Sequence, residues 1–352
     1  GGFRTWLSDF WPYYAQTRGV NLRVIHGGAR PVRDARAYQP LPVVDGMTFY
    51  RLRGVRIPGS DGRLVSPLRL AQLLRDCALC YFDNGYFLQD ALVLTAGGLS
   101  RVRVISGHHA VIKFGGLHDL AWETIGKRLL PRFAAVHVLN RSDARYVRRL
   151  HAQRTFEIPM PVDLEAFVPR SKSDQFTVTF VGRLHRQKGV DRLIDVIELA
   201  TAKFGSGVHF TVVGDGPLRH DLSRIRQLQN VRVLGTLGRS DVARAIARSH
   251  AILMPSRWET FGLVGAEALA CGVPLITSGA GATSEMAQNG RGTIIADPDA
   301  PGQWCEAIAA LRSEARFAAT RSDELRAYAE KNFSKETVSN QVDGLLESVL
   351  AG

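Results

Sequence analysis

Four cysteines, scattered at 77, 80, 271 and 305 of 352 residues, are too few and too dispersed for a disulfide framework. That scarcity fits a reducing compartment. Cys77-x-x-Cys80 has no second pair and no nearby histidine, so it builds no zinc site, and it reads as packing where a helix runs into a strand rather than as a redox pair. Long hydrophobic runs are missing too. None approaches the roughly 18 residues that a membrane span requires. No secretory leader is legible, so the expectation is a cytoplasmic chain, at most peripheral to the inner membrane face. The phosphate loop Gly-x4-Gly-Lys-Ser/Thr is absent, and the glycine loop at 214–216 is not Gly-x-Gly-x-x-Gly, which argues against a nicotinamide site. No basic run of five occurs and no aromatic pattern of an RNA-binding sheet, so nucleic-acid binding ranks low.

What is present is an ordinary globular composition, 45% hydrophobic and 22% charged, in a chain long enough for two domains. The net charge of +12 is uneven. Residues 1–168 hold 23 Lys/Arg against 13 Asp/Glu, a difference of +10; residues 169–352 hold 22 against 20, or +2. The basic excess of the first half suits an anionic acceptor or a membrane surface.

The chain is organised around residues 255–267, read with the elements on either side. An apolar run, Ala251–Met254, reads as a buried strand; Pro255–Gly262 is a loop; a helix follows and stops at Gly272; and Val273–Thr277 is a second strand. The loop thus sits at the carboxyl end of a parallel strand and the amino end of a helix, where open α/β sheets bind ligands. Bare amides there suit an anion, and Gly262 permits close backbone approach. Two carboxylates, Glu259 in the loop and Glu267 in the helix, stand eight residues apart. One can face a reacting group while the other reaches hydroxyls beside it.

The pattern Pro255-Ser-x-x-Glu259-x-Phe261-Gly262-Leu263-x-x-x-Glu267-Ala-x-Ala-x-Gly272-x-Pro274 resembles the Glu-x7-Glu signature of the retaining GT-B glycosyltransferases, family 4. The likeness is strong from 176 to 299 and looser before. It implies an α/β fold of two Rossmann-like domains with parallel sheets facing a cleft. It also implies that the nucleotide of a sugar donor binds mainly to the second domain.

Other segments acquire roles on that footing. Strand 176–181 runs into Gly182, Arg183 and Lys188 before a helix from Val190, an arrangement that suits a phosphate. In the resembled family the matching Arg and Lys grip the donor diphosphate, assisted by the amides of Phe261, Gly262 and Leu263. Glu267 would accept from ribose hydroxyls, Glu259 would orient the transferred sugar, and the loop at Gly214 would lie near the nucleotide. A strand at 102–105 ends in Ser106-Gly107-His108-His109, and a His just past a strand end is at the ligand side of a sheet. The resemblance assigns His108 to the donor sugar. Gly1 and Gly2 match the family's acceptor and phosphate loop, which follows a first strand that is then absent from this sequence. At 158–163 the chain reads Ile-Pro-Met160-Pro161-Val-Asp where the family has Ile-Pro-Asn-Gly-Val-Asp, so the turn there must differ. Asp297-Pro298-Asp299 mimics a metal motif of another glycosyltransferase fold but reads as a turn, and no metal is expected.

In the first half, short strands are expected within 27–67, and helices at 68–80, 86–96, 119–130 and 143–150, the last capped by Ser142. The aromatic cluster Phe3, Trp6, Phe10, Trp11, Tyr13 and Tyr14 is expected to be core and cleft lining rather than a membrane wedge, with a late or kinked helix start at Pro12. Domain boundaries are expected at 168/169, with a terminal helix over 335–352 crossing back to the first domain. The function expected is transfer of a sugar from a nucleotide-diphosphate donor, a UDP- or GDP-sugar, to an acceptor hydroxyl of a glycan, a lipid-linked or a small molecule, without metal or other cofactor. A non-catalytic sugar-nucleotide binder and a sugar-nucleotide epimerase are the competing readings.

Overall fold

The computed structural model describes residues 6–28, 47–56, 63–83, 87–108, 117–314 and 318–351. Gly1, Gly2, Phe3 and His109 lie outside these residues. The chain divides into two compact units, Gly1–Met160 with Val338–Gly352, and Pro161–Thr337.

The first unit holds two sheets. Strand β1 (Leu22–Gly28) runs parallel to β2 (Met47–Arg56), which pairs antiparallel with β3 (Arg63–Val65). β2 is ten residues long, longer than the short strands expected in this Gly/Pro/Arg-rich stretch. Its Thr48, Phe49, Tyr50 and Val55 are residue types that favour extended backbone, and partners on both sides pair it. The second sheet runs β4 (Leu79–Asp83), β5 (Arg103–His108), β6 (Ala135–Val138), β7 (Thr155–Glu157), all parallel. Helices Phe87–Ser100, Leu117–Leu129 and Arg141–Arg149 make the crossovers. The strand order advances in one direction and such crossovers are right-handed, so all three helices cover the same face. The core beneath joins Val104, Val136 and Val138 to Leu130, Phe133, Tyr146 and Val147.

One local expectation changes, and the late helix start at Pro12 is met. The Arg141–Arg149 helix is capped by Asn140, not Ser142: the Asn140 Oδ1 accepts from the Asp143 amide at 2.8 Å. Both types cap well, and Asn140 is the residue left in extended conformation at the strand exit. At the amino end, a π-helical turn, Trp6–Phe10, leads into helix Trp11–Arg18 with Pro12 in its first turn, where a missing N–H costs nothing. Trp6, Phe10 and Tyr14 are buried, and the Trp6 and Phe10 rings stack at 4.5 Å. Tyr14 donates to Asp343 at 2.6 Å and Arg18 to its other oxygen at 2.8 Å, fixing this helix to the closing helix Lys335–Ala351.

The Pro161–Thr337 unit is one six-stranded parallel sheet in the order β10-β9-β8-β11-β12-β13. Its strands are β8 (Thr177–Val181), β9 (His209–Val213), β10 (Val231–Gly235), β11 (Ala251–Met254), β12 (Leu275–Thr277) and β13 (Gly292–Ile294). β11 is buried along its whole length, as expected for a parallel strand covered on both faces. One packed cluster includes Phe180, Leu193, Ile197, Phe210, Leu253 and Trp304; each fully buried aliphatic or aromatic side chain there contributes about 1.5–3 kcal/mol. The chain first builds outward from β8 to β9 and β10, then returns to β8's other side with β11. β8 and β11 therefore flank a topological switch point, and their carboxyl ends open the crevice where ligands bind in such sheets.

Candidate functional site

The loops leaving β8 and β11 form the site. The first runs from Gly182 to Gly189, the second from Pro255 to Gly262. They touch along their length. The Arg257 amide donates to Gln187 O at 2.8 Å, and Gln187 Nε2 to Trp258 O at 3.3 Å. Gly189 has φ +66° and faces the Pro255 carbonyl so closely that a Cβ would overlap it, so only glycine lets these loops meet. Gly262, at φ +78°, ends the second loop and heads the helix Leu263–Ala270. The first-turn amides of such a helix have no intrahelical acceptor and carry the positive end of its dipole.

Lys188 and Glu259 are brought together: the ammonium forms an ion pair with Glu259 Oε1. The Ser256 hydroxyl donates to the same oxygen at 2.9 Å. The Glu259 side chain is only 7% exposed, so its charge is held by these two donors rather than by water. Arg183 lies on the same loop as Lys188 and is exposed; among the described residues no hydrogen bond or ion pair engages its guanidinium. A cation without a partner beside the switch point is available to an anion. Gly182 and Gly214 knit the neighbouring loops: Gly182 N donates to Val213 O at 3.0 Å and Gly214 N to Gly235 O at 2.7 Å. Phe261 is buried, its ring edge-on to Phe333 at 5.5 Å.

Glu267 lies on the helix Leu263–Ala270 that follows the second loop. It is half-buried, and burial pushes its carboxyl up to about 8, with Arg239 opposing and Asp163 adding to the rise. Arg239 itself pairs with Asp163 at 3.2 Å. His108 belongs to the other unit. It is the last residue of β5, opposite Val138, and is buried, whereas the sequence suggested a loop position just past the strand. β5 runs on through Ser106 and Gly107 because β4 and β6 both pair with it there. Gly1 and Gly2 are outside the described residues.

Sequence reasoning missed the residues that brace the second loop. Arg257 forks onto Asp191, both bonds at 2.6 Å, and reaches Arg186 O at 3.3 Å. Arg192 forks onto Asp299 at 2.6 and 3.0 Å and reaches Pro255 O at 3.3 Å. Arg257 holds the Asp191 carboxyl below the usual carboxylate range, and Arg192 does the same for Asp299. Asp299 closes the Asp-Pro-Asp turn, whose Asp297 accepts from the Asp299 amide at 3.1 Å. The turn's second carboxylate is therefore a brace for the Pro255 loop. The alternating charges at 191, 192 and 257 were visible, but nothing local couples positions 66 residues apart.

Residues 175–314 match the family model described as glycosyl transferases group 1. A stretch of 144 residues, 39% of this chain, is 35% identical to the phosphatidylinositol N-acetylglucosaminyltransferase gpi3 subunit of Schizosaccharomyces pombe and spans 31% of that protein. The chain spans only about a third of the length of the first curated relatives it matches. Over 382 aligned positions, 99% of this chain and 94% of the relative, it is 25% identical to a GDP-mannose-dependent monoacylated alpha-(1-6)-phosphatidylinositol monomannoside mannosyltransferase of Corynebacterium glutamicum. In fold, it superposes on the sucrose-phosphate synthase of Thermosynechococcus elongatus with a TM-score of 0.77 at 20% identity, covering 100% of this chain and 94% of the other.

Proposed function

Starting from a chain that belongs to the glycosyl transferases group 1 and carries the GT-B fold, we propose that it transfers a hexosyl group from a nucleoside-diphosphate sugar to an acceptor hydroxyl, with retention at the anomeric carbon. The observation that carries the reading is the meeting of the β8 and β11 loops, with Lys188 on Glu259 and Arg183 unengaged beside them.

The chemistry follows from charge. The anomeric C–O bond breaks, its electron pair leaves with the distal phosphate, and the acceptor oxygen bonds to the sugar as it loses its proton. Negative charge grows on the leaving phosphate. Arg183, Lys188 and the amides of Phe261, Gly262 and Leu263 are the groups that lower that barrier, since fixed donors aimed at developing charge cost no reorganisation. Glu259 orients the sugar, Glu267 bonds the ribose hydroxyls, and the Gly182 and Gly214 loops border the nucleotide. No metal or other cofactor enters the proposal. The GDP-mannose dependence of the Corynebacterium relative supports a guanine donor; UDP-sugars are the other candidates. Its phosphatidylinositol mannoside acceptor supports a lipid-linked acceptor class.

A panel of GDP- and UDP-sugars, with chelator present and acceptors of glycan and lipid-linked type, tests this by nucleoside diphosphate release. Release with the wild type and its loss in R183A supports the proposal. Tight nucleotide binding with no release from any pair favours the non-catalytic binder, and sugar inversion without acceptor favours the epimerase.

A further inference from the structure

A third loop borders the candidate site. β12 pairs with β11 in parallel register, Met254 opposite Thr277, so the chain leaving β12 emerges beside the chain leaving β11. Its residues Ser278-Gly279-Ala280-Gly281-Ala282 carry nothing larger than a hydroxymethyl group, and they lie close against the second loop. The Ser278 amide donates to Met254 O at 3.1 Å, and the Ser278 hydroxyl to Ser256 O at 2.6 Å. Further along, the Ala282 amide donates to Thr260 O at 3.2 Å. Ser256 and Thr260 bracket Glu259 in sequence. Gly281, at φ +56°, sits so close to the Glu259 carbonyl oxygen that a Cβ there would overlap it.

Hydroxyls fix the shape of this loop. The Gly279 amide donates to Thr277 Oγ1 at 3.1 Å, the Thr283 hydroxyl to Ala280 O at 2.7 Å and the Ser284 hydroxyl to Gly281 O at 3.1 Å. A platform anchored on the sheet through β12 therefore supports the backbone on either side of Glu259. Its influence extends to the carboxylate. Ser278 donates to the Ser256 carbonyl, and the Ser256 hydroxyl donates to Glu259 Oε1 at 2.9 Å. The Lys188 ammonium meets the same oxygen from the first loop. A lysine sits on a flexible four-carbon stem and supplies charge more than position. Short hydroxyl bonds and a glycine contact supply position. Position matters to rate, because a displacement of about 1 Å at a reacting centre costs about a hundredfold.

We infer that Ser278 and Gly281 are positioning residues that set where the Glu259 carboxylate stands, a role that deepens the transferase reading and rests on it. Neither needs to touch a substrate. Ser278 acts through Ser256, and Gly281 through the backbone of Glu259 itself.

The test is turnover of the full chain with a donor and acceptor pair that the wild type uses, each variant assayed well below its thermal midpoint. S278A should lower kcat about tenfold, the cost of one hydrogen bond, with the donor KM little changed. S278T keeps the hydroxyl and should turn over as the wild type does. G281A should fall about a hundredfold, since its Cβ displaces the Glu259 carbonyl. G290A controls for backbone strain: Gly290 has φ +77° with open space around it, so that variant should lose thermal midpoint and keep kcat. A double-mutant cycle separates positioning from mere packing. If Ser278 acts through Glu259, S278A should cost nothing further in an E259A background. Should G281A fail to fold, this cycle decides. S278A turning over like the wild type, or costing its full factor in the E259A background, overturns the inference. No nucleoside diphosphate release from any donor by the wild type removes the transferase reading and this role with it. Release lost in E259A but unaffected in S278A removes this role alone.

Discussion

The polar pairs that stand out in the two units have opposite surroundings. In Pro161–Thr337 they face each other across loops: Lys188 on Glu259, Arg257 on Asp191, Arg192 on Asp299. In the first unit the principal interior pair is sealed under the sheet. His137, fully buried on β6, meets the Tyr81 hydroxyl at 2.5 Å through Nδ1 and the Ile158 carbonyl at 2.8 Å through Nε2. The Ile158 carbonyl can only accept, so the ring's Nε2–H donates to it, and Nδ1 faces the Tyr81 hydroxyl. Burial holds the Tyr81 hydroxyl well above its usual range, which keeps its proton in place. The buried His137–Tyr81 pair holds strands together; the three loop-end pairs brace the candidate site.

That contrast can be broken by mutation. The largest expected effect is on turnover. R183A should reduce nucleoside diphosphate release about a hundredfold, the usual cost of one charge-stabilising donor. Because Arg183 is exposed, the melting temperature should not move; a stability loss of similar size would make it a structural residue. Next comes H137F, which leaves the Ile158 carbonyl and the Tyr81 hydroxyl without their ring partner. It should cost about 2–6 kcal/mol in denaturant titration, at about 1–3 kcal/mol for each of the two groups. A neutral outcome would mean that water or a relaxed backbone replaces the ring.

Glu267 gives a pH signature. Its carboxyl is raised to about 8 from an ordinary 4.5, so the folded chain keeps a proton that the unfolded chain has released. The stability from this group is full below the unfolded value and is lost as pH rises through the folded one. Wild type should therefore fall in thermal midpoint between pH 5 and pH 9 relative to E267Q, which lacks the titration. Parallel pH curves for the two proteins would refute the burial. The smallest effect is R257Q. Asp191 is half in water, so the fork should be worth under about 1 kcal/mol of stability. Yet the loop bearing Glu259 loses a brace, and turnover should drop more than stability does. Equal small changes in both would reduce the fork to a surface ion pair.

The second unit was the more legible because its signals are local. Ala251–Met254, the Gly272 stop and the helix carrying Glu267 follow from apolar runs and glycine punctuation, and the carboxyl-end loop follows from them. What stayed hidden was pairing across sequence. Lys188 looked like a free phosphate ligand, and only the fold shows it resting on Glu259. Asp299 looked like a bare turn residue until Arg192 came beside it. In the first unit, the choice between Asn140 and Ser142 as cap turned on where β6 ends, which apolar pattern does not resolve to one residue. The length of β2 depended on neighbours on both sides. The cysteine reading needed only burial: all four thiols are free, and burial pushes Cys80 up to about 12, far from the range of a reactive thiolate.

The return of the chain to β8's open edge has a consequence for biosynthesis. The cation at 188 and the carboxylate at 259 are separated by 71 positions, and two complete strand–helix units must emerge between them. Local helices can form as they leave the ribosome, but contacts so distant in sequence wait for loop closure. A nascent chain ending anywhere before residue 251 exposes one bare edge of β8 and holds no assembled crevice. The crevice assembles late in translation, and the exposed edge of β8 is the segment that a chaperone has most reason to cover.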